Sequence, residues 1–435
     1  MNRRNLTVAS WLAIIFAGGL LARLAVSFFL ADNHTLYFEH MLIARNLLEG
    51  KGYVWDEWGR AMLQPTSLVP PLCVYWCAFF QWLSPHNFLP MYLAQALISA
   101  SGVVPAFLIG KRMFSSRIGM VFALLYSFYP EFVFIHSKAV AESIYVVLVL
   151  WMIECYLVLT NVRIAPPRIV RASITCGVFA GVAMLFKEAA VVVALAVGMA
   201  LIIRYAGVWS QLRPRLVSFT FSTLLILSPW IIRNVVVQRE FIPLRTAFGI
   251  NWWVANQPGS AGNDRREDGS YVLSELPIKN PEYNTYMNSI LAIDEQDRDR
   301  VYTSEVWRLI KQDPSHYLKL CAKRLQYWIW FVPGHQLASN AVYRASWILL
   351  LLFALPGIAL AARRKQMNVV FPLILLGYVF YYVPTIVLPR YRVVTSAILL
   401  LFAAISVDAI LSGWRERQVV PARVIPSGNP KSKPR

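Results

Sequence analysis

Apolar residues run along this chain in long blocks, with polar residues gathered between them. Crossing hydrocarbon as a helix takes ~20 apolar residues. Ten stretches meet or approach that length: 9–31, 91–110, 117–136, 142–160, 172–187, 188–204, 214–232, 345–362, 368–388 and 392–412. The fifth and sixth are short and abut at Lys187-Glu188. A further apolar run, Leu68 to Leu83, opens at Pro70-Pro71, closes at Ser84-Pro85 and carries Tyr75, Trp76 and Trp82. Its length and aromatics predict a helix lying in the membrane interface rather than a span. Two long polar segments, 32–90 and 233–344, interrupt the blocks. Within the second, Val306, Leu309 and Ile310, then Tyr317, Leu318 and Cys321, recur at helical spacing around Asp313-Pro314, predicting a small, mostly helical domain over 276–328. The expected organisation is a transmembrane module at 1–232 that includes the loop 32–90, an outer domain at 233–344, closing spans at 345–412, and an unstructured basic tail at 413–435.

Composition supports a membrane protein. The chain has 435 residues, 57% hydrophobic and 15% charged, with mean hydropathy +0.50, more apolar surface than a soluble core could hide. The net charge of +19 would suggest a polyanion partner in a soluble protein, but its distribution follows the loops. With the N-terminus inside, Arg3 and Arg4, then Lys111, Arg112 and Arg117, then Arg163, Arg168 and Arg171, then Arg204, Arg213 and Arg215, then Arg363, Arg364 and Lys365, and the tail all fall on the cytoplasmic side. Acids and bases balance in 234–343, and all six histidines lie at or beyond the outer boundary. The outer face is therefore the expected place for chemistry, and nucleic acid is not an expected partner. The five cysteines lack zinc-finger spacing and sit mostly in apolar runs, which predicts buried thiols. No short apolar segment with a small-residue cleavage site precedes the first span, so that span is expected to remain in the mature protein.

Ionisable residues collect near the outer ends of the spans. In Tyr37 to Tyr53, a helix would place Glu39, Leu42, Ile43, Asn46 and Leu47 on one face and stop at Gly50. A carboxylate on an apolar face at an interface is desolvated, which raises its pKa and strengthens it as a base; the alternative is a glutamate favoured by the helix dipole. Arg390 and Arg392 flank Tyr391 at the mouth of the last span. Guanidinium forks suit a phosphate, and snorkelling interface anchors are the other reading. Lys187 needs a carboxylate partner or an anion, and Glu188 beside it points elsewhere on a helix. Arg233, in Pro229-Trp230-Ile231-Ile232-Arg233-Asn234, and Arg245 lie at the same level. Glu142 starts the fourth span as an orienting ligand or a helix cap. Cations and carboxylates converging at one leaflet suit a lipid-phosphate substrate.

These pieces in this order, with Ile43-Ala44-Arg45-Asn46-Leu47, Gly50-Lys51-Gly52-Tyr53, Pro65-Thr66, Pro70-Pro71, Ile109-Gly110-Lys111-Arg112, Tyr129-Pro130, Pro243-Leu244-Arg245-Thr246, Gly249, and Asn256 with Pro258, resemble the polyprenyl-phosphate-sugar-dependent glycosyltransferases of the GT-C class. The likeness is to bacterial members related to protein O-mannosyltransferases and aminoarabinose transferases. It implies an all-α polytopic fold of about ten transmembrane helices, with outer-face interfacial helices and a small periplasmic domain. It also implies an acidic general base in the first outer loop, at Glu39. The family's usual glycine before Asn256 is Ala255 here.

A sugar phosphate has an anionic leaving group, so its transfer needs cations and one base rather than the two carboxylates of glycoside hydrolysis. The resemblance implies inverting transfer from a polyprenyl-phosphate sugar to a lipid, glycan or protein hydroxyl, at the periplasmic face of a bacterial inner membrane. Arg390 and Arg392, with Lys187, Arg233 or Arg245, would hold the phosphate, and a divalent metal ion bridging it to Glu142 or a histidine is a further option. A flippase or transporter, or a ligase or polymerase using a diphosphate carrier, stands as the alternative. A transporter would place charges near mid-span and carry paired repeats.

Overall fold

The computed structural model, described for residues 7–36, 38–56, 62–160, 165–266, 268–272, 288–332 and 335–418, is helical in every predicted apolar block. Among the described residues, seven helical segments are long and apolar enough to cross a membrane: Val8–Phe29, Leu89–Met113, Glu142–Leu159, Pro166–Phe186, Trp209–Gln238, Ala341–Arg363 and Pro389–Ser412. Ser116–Phe128, Ala190–Arg204 and Val370–Tyr382 are shorter apolar helices, so three of the ten expected spans are helices of reduced length. The result is an all-α polytopic membrane fold.

In chain order the elements are α1 (Val8–Phe29), α2 (Glu39–Leu48), a two-stranded ribbon of β1 (Val54–Trp55) and β2 (Gln64–Pro65), α3 (Pro71–Leu83), α4 (Leu89–Ser101), α5 (Val103–Met113), α6 (Ser116–Phe128), α7 (Pro130–Ile135), α8 (Glu142–Leu159), α9 (Pro166–Phe186), α10 (Ala190–Arg204) and α11 (Trp209–Gln238). Then come α12 (Phe248–Val254), α13 (Glu295–Gln312), α14 (Pro314–Ile329), α15 (Gln336–Ser339), α16 (Ala341–Arg363), α17 (Val370–Tyr382), a 3₁₀ turn at Pro389–Arg392 and α18 (Val393–Gln418). Prolines stand in the first turn of α3, α4, α7, α9 and α14, where their missing N–H is no loss. The tail expected to be unstructured from 413 extends α18 to Gln418, and its remainder lies outside the described residues.

α8 is buried along its whole length and forms the centre of the bundle. α9 packs against α11 through Gly177 and Gly181, four residues apart. A Cβ at Gly177 would lie 2.3 Å from the Phe219 carbonyl oxygen, so glycine is what lets these two helices approach. α3 is 13 residues long, about 20 Å, too short for the ~30 Å hydrocarbon. It buries Cys73, Val74 and Cys77 and exposes Tyr75, Phe79 and Trp82. All five cysteines are free thiols.

Described residues of the segments 32–90 and 239–332 meet at one end of the bundle, around Glu295. Its carboxylate accepts hydrogen bonds from the Thr66 and Thr246 hydroxyls and, at 2.9 Å, from the Ser67 amide. Three segments distant in sequence are thus tied by one buried acid at the head of α13. Arg324 of α14 is a second tie: it donates to the carbonyls of Ala255, Gly262 and Pro384. At the opposite end Arg112 pairs with Glu154 at 2.5 Å and Arg117 with Asp408 at 3.0 Å.

Candidate active site

The break between α9 and α10 builds the centre of the site. Lys187 leaves the helix in an extended conformation (φ −151°, ψ 120°), so Lys187 and Glu188 turn to different partners. Lys187 Nζ donates to Glu142 Oε1 at 2.9 Å, and Glu188 Oε1 accepts from Arg245 at 2.9 Å. Lys187 therefore has the distant carboxylate its position demanded, and Glu142 orients it from the first turn of α8. The pair is nearly shut off from solvent, with side-chain exposures of 12% and 3%. Lys187 Nζ also stands 5.1 Å from the centre of the Tyr391 ring, whose other neighbour, Tyr382, is stacked at 4.5 Å and 16°.

Arg390 has a different environment. Its Nε is 3.6 Å from Glu142 Oε1, beyond hydrogen-bonding distance, and that Nε has no hydrogen-bond partner among the described residues. Its side chain keeps 35% exposure. The guanidinium carbon lies 5.7 Å from the Phe38 ring centre and 5.8 Å from that of Tyr391. Phe38 caps α2, so Arg390 sits beside the start of the helix that carries Glu39, and both Arg390 and Arg245 lie within electrostatic reach of Glu39. Burial works against the charge on Arg245, but Glu188, with Tyr391, Tyr381 and Glu39 behind it, holds its pKa above the ordinary value.

Glu39 is half-buried rather than on the buried face. The face of α2 that packs inward is His40, Met41, Ile43 and Ala44, rotated from the one the apolar spacing predicts. Two polar tethers set this rotation: Gln81 of α3 donates to the Met41 carbonyl at 3.0 Å, and the His40 ring bonds the Ala139 carbonyl. Gly50 does end the helix, with φ +77°, a conformation glycine reaches without strain.

Four sequence candidates are turned to the protein's own frame. Arg392 is buried and donates to the Trp328 and Trp330 carbonyls, at 3.4 and 2.8 Å, and to the Tyr343 hydroxyl, with its guanidinium 4.1 Å from the Trp347 ring centre. The 3₁₀ turn explains the separation: at about three residues per turn, residues two apart point to different sides. Arg233 donates to the carbonyls of Thr66 and Tyr53 and lies against the rings of Tyr53 and Trp230. Asn46 donates to the Val54 carbonyl at 3.1 Å. Asn256 donates to the Trp252 carbonyl and accepts from Arg324. The site thus gathers Glu39, Glu142, Lys187, Glu188, Arg245, Arg390 and Tyr391.

Sequence reasoning passed over Phe38, Asp264 and Glu295, and had His335 only as one of six outer histidines. Asp264 and His335 both feel Arg390 electrostatically. Burial pushes the His335 imidazole down to about 4, and the cations Arg265, Arg390 and Arg392 act in the same sense. Burial pushes the Asp299 carboxyl up to about 6, against the hydrogen bond it accepts from the Gly249 amide. Among the described residues no three of His, Cys, Asp or Glu converge to hold a metal ion; the acids nearest the centre are already engaged by Lys187 and Arg245.

The Lys187–Glu142 pair supports a stability prediction. Lys187→Met leaves buried Glu142 without its hydrogen-bonded cation and with only the more distant Arg390 to offset its charge, so unfolding in detergent is expected to become easier by up to about 3–5 kcal/mol. Adding Glu142→Gln removes the orphaned charge and should restore most of the thermal midpoint. A double variant no more stable than Lys187→Met would show that the pair is not what stabilises this junction.

The described residues form a helical membrane bundle with buried ion pairs and a partly exposed Arg390 beneath its loops. The structure superposes on the Archaeoglobus fulgidus oligosaccharyltransferase tethered to an acceptor peptide containing the NVT sequon, with TM-score 0.57, 12% identity, and coverage of 97% of this chain and 52% of that one. It also superposes on the oligosaccharyltransferase AglB of the same organism in complex with an inhibitory peptide and a dolichol-phosphate, with TM-score 0.54, 13% identity, and coverage of 98% and 53%. ArnT from Cupriavidus metallidurans bound to undecaprenyl phosphate aligns at TM-score 0.43 and 15% identity, over 92% of this chain and 78% of that one. The chain spans about half the length of the oligosaccharyltransferases it matches. Residues 68–232 match the family of dolichyl-phosphate-mannose-protein mannosyltransferases, a segment that contains Glu142, Lys187 and Glu188 but neither Glu39 nor Arg390. No curated protein matches the chain.

Proposed function

We propose that this protein transfers a sugar from a polyprenyl-phosphate carrier to an acceptor hydroxyl, with inversion, at the periplasmic face of a bacterial inner membrane. The observation that carries the reading is Arg390: a partly exposed guanidinium that stands 3.6 Å from Glu142, beyond hydrogen-bonding distance, beside the start of the helix bearing Glu39. Lys187 and Arg245 each hydrogen-bond a glutamate at 2.9 Å, whereas Arg390 has only the looser 3.6 Å contact with Glu142, which leaves Arg390 as the cation best placed to accept an anion. A guanidinium fork binds phosphate oxygens in pairs, and the family match over 68–232 supports a lipid-phosphate donor. The concentration of basic residues at the opposite end of the bundle supports the membrane orientation.

In the reaction, the bond between the anomeric carbon and the phosphate oxygen breaks, and the electron pair leaves with polyprenyl phosphate, held by Arg390. The acceptor oxygen attacks the opposite face of the anomeric carbon while Glu39 takes its proton. Glu142 and Glu188 do not donate or accept protons in this scheme; they fix Lys187 and Arg245 around Tyr391, lending positive potential to the phosphate. The acceptor is a lipid, glycan or protein hydroxyl.

The rival reading is a flippase. In detergent, purified protein is expected to move labelled mannose from mannosyl-phosphoryl polyprenol onto a hydroxyl acceptor in a membrane extract, where there is no second compartment to transport into. Absence of transfer from this and other monophosphate-linked sugars, with lipid translocation in vesicles, would establish the rival instead.

A further inference from the structure

The loop between α12 and α13 brings an acid to the site that none of the apolar patterning revealed. Asp264 lies on a turn closed by two isolated bridges, Ser260 to Arg266 and Arg265 to Tyr271. Its backbone is fixed: the Val272 amide donates to the Asp264 carbonyl at 3.0 Å, and the Ala261 amide to the Arg265 carbonyl at 2.9 Å. Arg324 positions this turn relative to the phosphate-binding arginine. Its Nε donates to the carbonyl of Gly262, two residues before Asp264, at 2.9 Å, while Nη1 reaches the carbonyl of Pro384, six residues before Arg390, at 3.3 Å. The same Pro384 carbonyl accepts from Trp252 of α12 and Tyr317 of α14, each at 2.9 Å. The turn is thus clamped to the segment leading into Arg390, and Asp264 lies within electrostatic reach of Arg390 as well as of its neighbour Arg265.

One carboxylate oxygen of Asp264, Oδ1, is buried with no hydrogen-bond partner among the described residues. An acceptor in that state is costly to a folded protein unless a donor arrives. Burial pushes the carboxyl above its ordinary range, against Arg265 and Arg390. An anion would not be welcome beside it, so the missing donor is a hydroxyl or another N–H or O–H group. A sugar joined to a phosphate carries its hydroxyls within a few ångströms of the phosphate oxygens.

On the reading that Arg390 holds the donor phosphate, we infer that Asp264 accepts a hydrogen bond from a hydroxyl of the donor's sugar and so selects the glycosylated carrier over the bare one. It is a specificity residue. A site built to bond a hydroxyl rejects a ligand lacking it by large factors, because its own polar group is then left unpaired.

The test compares two lipids on one protein. Binding of polyprenyl monophosphate and of mannosyl-phosphoryl polyprenol is measured in detergent for the parent chain, Asp264→Asn and Asp264→Ala. The parent is expected to prefer the glycosylated lipid. Asp264→Ala should weaken that lipid at least tenfold while leaving the bare phosphate within twofold, with Asp264→Asn intermediate because an amide oxygen still accepts. Deoxy-mannose forms of the donor then identify the hydroxyl: one of them should bind the parent and Asp264→Ala equally. Unchanged or equal loss for both lipids would overturn the Asp264 assignment. Failure of the lipid-phosphate reading is separately visible, since Arg390→Leu would then leave binding of the bare phosphate unaltered.

Discussion

Glu39→Gln is expected to abolish sugar transfer while leaving a folded protein that still binds its lipid. Glutamine has the same shape and can make the contacts of a half-buried side chain at the start of α2, where Glu39 has no cap to support. What it cannot do is accept the proton of an attacking hydroxyl. General-base catalysis contributes about 10²–10⁴-fold to a rate, so kcat should fall by that factor. Binding of polyprenyl monophosphate should stay the same or tighten. Glu39 lies within electrostatic reach of both Arg390 and Arg245, and removing its negative charge lifts a repulsion on an incoming phosphate. The diagnostic result is therefore a split: transfer lost, lipid retained, thermal midpoint in detergent unchanged. Full activity in a folded Glu39→Gln protein would remove Glu39 from the chemistry and point to another acid at the loop end.

The membrane part of this fold was legible because hydrocarbon constrains a chain more strictly than water does: in it every backbone group must be satisfied within a helix. Each apolar block is accordingly a helix, and the expected junction at Lys187-Glu188 is a real break between α9 and α10. The candidate site was legible only in part. Lys187, Arg245, Glu142 and Arg390 stood out as charges beside apolar runs, where a charge needs a reason. Their pairing did not, because it depends on which of several cations each glutamate meets across the bundle. Lys187 and Glu188 are adjacent in sequence and bond partners from α8 and from the loop after α11. The rotation of α2 was also illegible: apolar spacing favours Leu42, Asn46 and Leu47 inside, and hydrogen bonds to Ala139 and from Gln81 decide otherwise. Asp264 and Glu295 lie in polar stretches where acids are ordinary, and only the contacts of the folded chain distinguish them.

Arg390 and Arg392 are the sharpest case, because the sequence presents them as equivalents flanking Tyr391 and the structure gives them opposite surroundings. Replacing each by leucine should therefore produce opposite results. Arg390→Leu removes an accessible guanidinium whose Nε bonds none of the described residues, and Glu142 keeps Lys187 as its partner; the thermal midpoint should barely move. The affinity for polyprenyl monophosphate should collapse. Two charge-assisted hydrogen bonds at ~1.5–3 kcal/mol each correspond to roughly 10²–10⁴-fold, and Arg390→Lys should recover only part of this, since an ammonium lacks the fork. Arg392→Leu strands the Trp328 and Trp330 carbonyls and the Tyr343 hydroxyl where the guanidinium had joined them. Each unsatisfied buried group costs about 1–3 kcal/mol, so this variant should express poorly and unfold early. The fraction that folds should bind the lipid as the parent does. The reverse pattern, with Arg392→Leu stable but blind to the lipid, would move the phosphate to the other side of the turn and would overturn the assignment of Arg390.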